Sequence, residues 1–599
     1  MSKAEKFYNQ NIEKGRTEIA SLNKIIEVVG WSRLVILIGG LYLSYRSYKG
    51  QGIFIAGLVF AVMMLIFLTV AFFHGKVIKK KEKIELALEF NEKGLKRLNG
   101  EYKEFEDMGE ELLEKNHAFA EDLDIFGKNS LFQMINTTRT LSGRRKLGQI
   151  LSLAELPDKN LVKERQIAIK ELGEKIEWRQ KLYVSATFKK KKGEELEELI
   201  KWGKESSSGD SVRVGISCIF ILITMVSVFL AIIKVIPISF IILNFMINYA
   251  VIKVLTKDRN EVIDLFNSIK NSVKAYSNIL TLIEDEKFES DYLNSLKEKL
   301  EDNTSLLCKD EMKKLSNLLD WIGDSAGNAY FFILNVLLFA DVFILFNLNK
   351  WRKLNGSKIE KWLEVMGEFD ALASISNLSF DHEEWCFAEI TEEASVTGIE
   401  ISHPLIGNRA VANSYELRKP KQVTLITGSN MSGKSTFLRT VGINLILGYI
   451  GAPCSAKNFK CSIMNIYTCM RTKDNLEESI SSFYAEILRI KLLIEACKRG
   501  EKVFFLLDEI FKGTNSKDRH TGATVLVKQL IENKAMGLLS THDLELCDLE
   551  EEMKEIDNYN FREYYVENKI NFDYKLRRGK STTQNAVYLM KLAGIEINK

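Results

Sequence analysis

Nine consecutive residues, Gly428, Ser429, Asn430, Met431, Ser432, Gly433, Lys434, Ser435 and Thr436, satisfy the G-x-x-x-x-G-K-[ST] phosphate-loop pattern. The glycines let backbone N–H groups turn toward phosphate oxygens, and a helix starting behind them adds partial positive charge. Lys434 is the residue to reach the terminal phosphates, and Ser435 the one to ligate Mg²⁺. About seventy residues on, the apolar run Val503-Phe504-Phe505-Leu506-Leu507 ends in two carboxylates, Asp508 and Glu509. In a phosphate-loop enzyme the first carboxylate helps hold the metal. The second, Glu509, is placed to polarise an attacking water as general base. A third apolar stretch, Gly537-Leu538-Leu539-Ser540, runs into Thr541-His542-Asp543, where His542 reads as a switch that senses the γ-phosphate.

These residues need a scaffold that brings strand ends together. Val423-Thr424-Leu425-Ile426 reads as a buried strand before the loop, and residues 437–447 as a helix after it. Three short apolar strands, each ending in polar chemistry, predict an α/β domain. The 599-residue chain is long enough for several domains. Five prolines and 27% charged residues predict a helix-rich remainder. A net charge of +3 neither demands nor excludes nucleic acid. The eight cysteines form no C-x-x-C pair, which argues against a disulfide framework or a structural metal.

The motifs together resemble the ATPase domain of the MutS mismatch-repair family. Thr427 to Arg439 reads T-G-S-N-M-S-G-K-S-T-F-L-R, against the family's T-G-x-N-M-x-G-K-S-T-x-L-R. Leu506-Leu507-Asp508-Glu509 with Gly513-Thr514 and Asp518 resembles its L-L-D-E-x-x-x-G-T, and Ser540-Thr541-His542 its A-T-H. Asp474-Asn475-Leu476 with Ser481, Ser482, Phe483 and Glu486 resembles the D-D-L…S-T-F-x-x-E signature. The resemblance implies that this signature faces the nucleotide of a partner subunit, so that ATP and Mg²⁺ drive closure of a homodimer. The L-S-G-G-Q signature of transporter motors is absent from the sequence. Upstream, His403-Pro404 resembles the family's H-P segment, and Ser130-Leu131-Phe132 with Asn136, Thr138, Thr140, Gly143 and Arg145 the start of its helical core.

The departures are equally informative. Mismatch readers carry an N-terminal domain with a Phe-x-Glu wedge. Phe90-Asn91-Glu92 fits the tripeptide but lies in a charged helical stretch. Ala410 falls where the family often places an aromatic against adenine. The chain stops near Ala593-Gly594-Ile595, where the family continues into a dimerisation extension, and no nuclease appendage is expected.

Membrane segments are the second large expectation. Residues 53–73 run 21 positions without a charge, enough to cross a bilayer. Residues 34–45 precede them between Arg33 and Arg46, which makes a hairpin turning at 49–52. A second pair covers 214–233 and 235–252. A further apolar run, 330–346, carries Asn335 and Asp341 and is read as a buried soluble helix, because a charge at mid-bilayer is costly. Lys76, Lys79, Lys80, Lys81 and Lys83 flank the first hairpin, and Arg213, Lys253 and Lys257 the second. The positive-inside rule then puts the ATPase domain on the cytoplasmic side of the cell membrane.

The expected architecture is multidomain: helical membrane hairpins and an all-α core and lever region, followed by an α/β P-loop ATPase domain of the ABC/MutS type. Its parts are an N-terminal cytoplasmic helix at 1–30, a transmembrane hairpin at 31–75 and a helical connector at 76–118. A helical core and lever region follows at 119–350, interrupted by the hairpin at 214–252. A connector at 351–402 leads to the ATPase domain at 403–599. Lys80 to Glu121 is expected to be one long helix, and 258–318 a second helical region. The expected partners are a second copy of the chain, the lipid bilayer and mismatched or branched DNA. The alternatives are a membrane mechanochemical or signalling ATPase without DNA and, more weakly, a transporter.

Overall fold

The computed structural model describes residues 1–186, 194–205, 210–257, 259–301, 307–325, 329–471, 482–566 and 569–581. The chain divides into two compact units. One holds Met1–Thr137, Leu147–Ile176 and Ser374–Lys599, the other Thr138–Lys146 and Glu177–Ala373. Both cross the boundaries expected from the sequence, because the N-terminal helices fold with the C-terminal α/β region.

In the first unit the N-terminal segment and the first apolar run form one 49-residue helix, Lys3–Gln51. Ser2 caps it, accepting from the Glu5 N–H while the Glu5 side chain accepts from the Ser2 N–H. The chain reverses at Gly52 (φ 88°) into the helix Ile53–Leu98. This helix stops at Leu98 and does not continue to 121. Asn99 closes the last turn through its N–H to Leu95 O, and Gly100 takes the left-handed conformation (φ 75°) that ends helices. The hairpin is tied down at its charged end. Asp381 accepts from the Tyr8 hydroxyl at 2.7 Å and from Arg97 Nε at 2.5 Å, all three groups being buried.

The described α/β region carries two main sheets beside a two-stranded pair, Cys386–Phe387 with Pro453–Cys454. The larger has six strands in the order Lys569–Arg578, Ile556–Val566, Val423–Thr427, Met536–Ser540, Val503–Asp508 and Asn465–Cys469. Every neighbouring pair is parallel except the first, an antiparallel hairpin. The central strands are mainly apolar and buried along their length because both faces are covered. The register Ser540↔Asp508 brings the ends of two strands to one edge beside the phosphate loop. The smaller sheet has the order Glu389–Thr391, Asn458–Ser462, Ser395–Ile401 and Asn413–Arg418. Strand structure therefore begins at Cys386, ahead of the boundary placed at 403.

The second unit is helical. Ile269, Val273, Tyr276 and Ile279 of the helix Arg259–Asp285 form the buried stripe that their spacing implied. Asp210–Ile232 and Ile238–Leu255 make the second apolar hairpin. Among the described residues, four helices are long and apolar enough to cross a membrane, or five if a bent pair counts as one span. That bent pair corrects the reading of 330–346 as one buried helix. The run breaks at Phe339 (φ 52°), with Phe331–Leu338 inclined by 81° to the helix beginning at Ala340. Asn335 and Asp341 cause the break to hold. Asn335 Nδ2 donates to Asp341 Oδ2 at 2.7 Å and the Asp341 N–H to Asn335 Oδ1 at 3.1 Å, satisfying groups the break exposes. Phe332, Ile333 and Leu338 are exposed rather than buried. Asn248 Nδ2 of the apolar hairpin donates to Val336 O at 2.9 Å, so the bent pair packs with that hairpin.

Candidate nucleotide-binding site

The strand Val423–Thr427 ends at Gly428, and the helix Lys434–Tyr449 begins after Gly433. Gly428 (φ 148°) could not be replaced: a Cβ there would sit 2.8 Å from Phe561 O and 2.8 Å from Ser432 Oγ. Met431 (φ 66°) is left at the tip, highly exposed. Ser429 Oγ donates to Glu563 Oε2 at 2.8 Å, which anchors the loop to the strand Ile556–Val566.

Lys434 is buried and folds back over the loop. Its Nζ donates to Gly428 O at 2.9 Å and to Ser429 O at 3.1 Å, and lies 3.7 Å from Glu509 Oε1. Burial lowers its pKa, while Glu509 and Asp508 oppose the shift. Ser432 Oγ is buried with no hydrogen-bond partner. An orphaned hydroxyl beside a buried ammonium is a fit for a phosphate oxygen, which would satisfy both.

Asp508 and Glu509 stand at the end of their strand as expected. Asp508 Oδ1 accepts from Ser540 Oγ of the neighbouring strand. Glu509 turns sharply (φ 49°), its N–H donating to Ser540 O at 3.0 Å. His542 Nε2 lies 2.9 Å from Glu509 Oε1 and 2.8 Å from Asn430 Oδ1. The Lys434 ammonium lies 3.3 Å from the same ring nitrogen, so His542 Nε2 stands between two acceptors and a cation. His542 thus bridges the loop and the carboxylate, a tie visible only in the folded chain. The hydrogen bond from His542, together with Lys512 at 3.1 Å, pulls the Glu509 pKa down to about 2 against the cost of burial. A carboxylate that acidic stays ionised and is a weak proton acceptor, so its strength lies in orienting a water.

This depression has a testable sign. A lowered carboxylate stays charged until pH falls to its folded pKa, and the contribution of its contacts disappears below that. In His542→Ala the largest cause is gone, so protonation moves from near pH 2 up toward the ordinary 4.5. A ¹³C titration of the Glu509 carboxyl is expected to show this rise, and an unmoved titration would contradict the assignment of the cause.

A cavity of about 680 Å³ opens over the loop, walled by Arg409, Ala410, Asn413, Phe561 and Tyr574. Ala410 lies at its wall, and an aromatic ring is supplied from elsewhere, by Tyr574 (φ 54°) of the strand Lys569–Arg578. Nothing local in the sequence marked Tyr574. Its place depends on the antiparallel hairpin and on Asn413, whose Nδ2 donates to Tyr574 O at 3.0 Å. A second support likewise has no local mark in the sequence. Asp124 accepts from Arg439 of the phosphate-loop helix at 2.7 Å and from Arg471 at 2.6 Å. Burial, then Arg439, push the neighbouring His403 down to about 4, so it is a neutral wall residue of the cavity.

The signature residues divide. Asp474, Asn475, Leu476 and Ser481 lie outside the described residues, as does the side chain of Ser482, the first residue of the helix Ser482–Lys498. Phe483 and Glu486 are described, Phe483 half-buried. Glu486 is 5% exposed and accepts from the Phe511 N–H of its own chain.

Residues 424–598 match the family model described as MutS domain V. The C-terminal part of this chain is MutS-like. The DNA mismatch repair protein MutS of Persephonella marina is 29% identical over 244 residues, 40% of this chain and 28% of the relative. That of Aquifex pyrophilus is 30% identical over 237 residues, 39% and 27% of the two chains. That of Bacillus licheniformis is 30% identical over 243 residues, 39% and 28%. The matched part spans little more than a quarter of these relatives, and it supports a MutS-family protein.

Proposed function

We propose that the chain is a membrane-anchored, MutS-like ATPase in which Mg²⁺-dependent hydrolysis of ATP drives closure of a homodimer. The observation that carries this is the meeting of Lys434, Glu509 and His542 at one end of the phosphate loop, with an orphaned buried hydroxyl beside them. Residues 428–436 cradle the phosphates, and Lys434 exchanges its loop carbonyls for phosphate oxygens. Tyr574 offers the base an aromatic face in place of Ala410. Ser435 and Asp508 would hold Mg²⁺, which neutralises phosphate charge when bound. Glu509 orients the attacking water, and His542 reports the γ-phosphate to Asn430 and Glu509. Phosphoryl transfer of this kind is mostly positioning and charge stabilisation.

The four long apolar helices support an anchor in the cell membrane, with the ATPase domain cytoplasmic and lipid as the surrounding partner. The relatives' name supports mismatched or branched DNA as the ligand that hydrolysis controls. The same helices favour a second reading, a mechanochemical or signalling ATPase that works on the membrane without DNA. The two separate in lipid nanodiscs, with Lys434→Ala as the blank. A repair-like role predicts that mismatched or branched duplex raises the ATPase rate and that salt abolishes the stimulation. Hydrolysis indifferent to every duplex removes DNA from the account and leaves the membrane reading.

A further inference from the structure

The turn that carries Glu509 is held open by its own chain. After the strand Val503–Asp508 the backbone takes left-handed conformations at two non-glycine residues, Glu509 (φ 49°) and Phe511 (φ 62°). Side chains are strained in that region, and such a turn persists only where its surroundings over-determine it. The helix Ser482–Lys498 supplies those surroundings. Glu486, buried on its first turns, accepts from the Phe511 N–H, and the Lys512 N–H also bonds it. Two residues further, Gly513 passes so close to the helix that a Cβ there would lie 2.6 Å from Phe483 Cβ. The helix is itself fixed from behind. Arg489 NH1 donates to the fully buried Asp122 at 2.8 Å, and Asp122 also accepts from the Arg471 N–H at 2.9 Å.

We infer that Glu486 is a positioning residue for Glu509 of the same chain: its carboxylate fixes the left-handed turn 509–511 and so aims the Glu509 carboxylate at the cavity. This rests on the ATPase reading, and it reassigns a residue of the signature from the partner's nucleotide to its own. The reasoning is geometric. Glu509 is tied to His542 at its side chain, but its backbone direction depends on the turn, and the turn's free N–H groups end on Glu486. Without that acceptor two N–H groups lose their partner beside strained backbone, and the turn relaxes toward ordinary φ values. The reacting geometry is then lost while the phosphate loop is untouched.

The test uses the full chain in nanodiscs. Glu486→Ala is expected to lower kcat by about 100-fold, the scale of a 1 Å misplacement, with little change in KM for ATP. Glu486→Gln keeps one acceptor oxygen and is expected to recover most of that loss. Amide exchange across 510–513 is expected to quicken in Glu486→Ala, a readout that holds even if the chain hydrolyses nothing. Purified heterodimers decide between own and partner site. Lys434→Ala paired with Glu486→Ala leaves a broken site on each subunit and is expected to be silent. Lys434→Ala paired with Ser481→Ala leaves one intact site if the signature acts across the dimer. Activity in the first heterodimer, or a wild-type kcat and exchange rate in Glu486→Ala, overturns the inference. Silence of the second heterodimer alone would remove the cross-dimer signature and leave Glu486 in place.

Discussion

Glu509→Gln in the full-length chain is expected to slow ATP hydrolysis by about 10³-fold while ATP still binds, the range in which loss of a water-orienting or general-base group is felt. The side chain lines the cavity and its carboxylate lies 3.7 Å from Lys434 Nζ and 2.9 Å from His542 Nε2. Glutamine keeps the size and an acceptor for His542 but loses the charge that directs a water. The phosphate loop does not depend on that charge, since Lys434 already donates to Gly428 O and Ser429 O. Single-turnover hydrolysis beside equilibrium binding of a fluorescent ATP analogue separates the two effects. Loss of binding in parallel with hydrolysis would mean that Glu509 shapes the loop rather than the reaction.

Lys434→Ala is expected to remove both steps. Its ammonium is buried at 4% exposure, so it meets phosphate oxygens without competition from water. Truncating one partner of a buried charge pair costs about 3 kcal/mol, or roughly 100-fold in ATP affinity. The variant also strips the donor from Gly428 O and Ser429 O, which loosens the loop further. Titration with the same analogue is the check, and an affinity within a few-fold of wild type would contradict the role given to Lys434.

What the sequence disclosed was what is local. Val423 to Thr436 is one strand, one loop and one helix start, each set by residues within a few positions, and the structure has all three there. The end of the helix at Leu98 was also written locally, in Asn99-Gly100. Tyr102 and Phe105 continue the apolar spacing past the break and disguise it. The break at Phe339 was less legible. Asn335 and Asp341 look like polar flaws in an apolar helix until their mutual hydrogen bonds show them closing a bend. Partnerships across long separations left no trace. Glu486 with Phe511, Asp124 with Arg439 and Asn413 with Tyr574 join segments that only the folded sheet brings together. The burial of Glu486 against the turn at Phe511 is therefore not legible in the signature itself.

We propose that the converged loop, carboxylates and histidine hydrolyse ATP. This hydrolysis is tested most directly by phosphate release from the full chain in nanodiscs, with Mg²⁺ or with chelator, beside Lys434→Ala. The account predicts steady release that needs both Mg²⁺ and Lys434. Release at the same rate from Lys434→Ala, or none from the wild-type chain under any of these conditions, would contradict it.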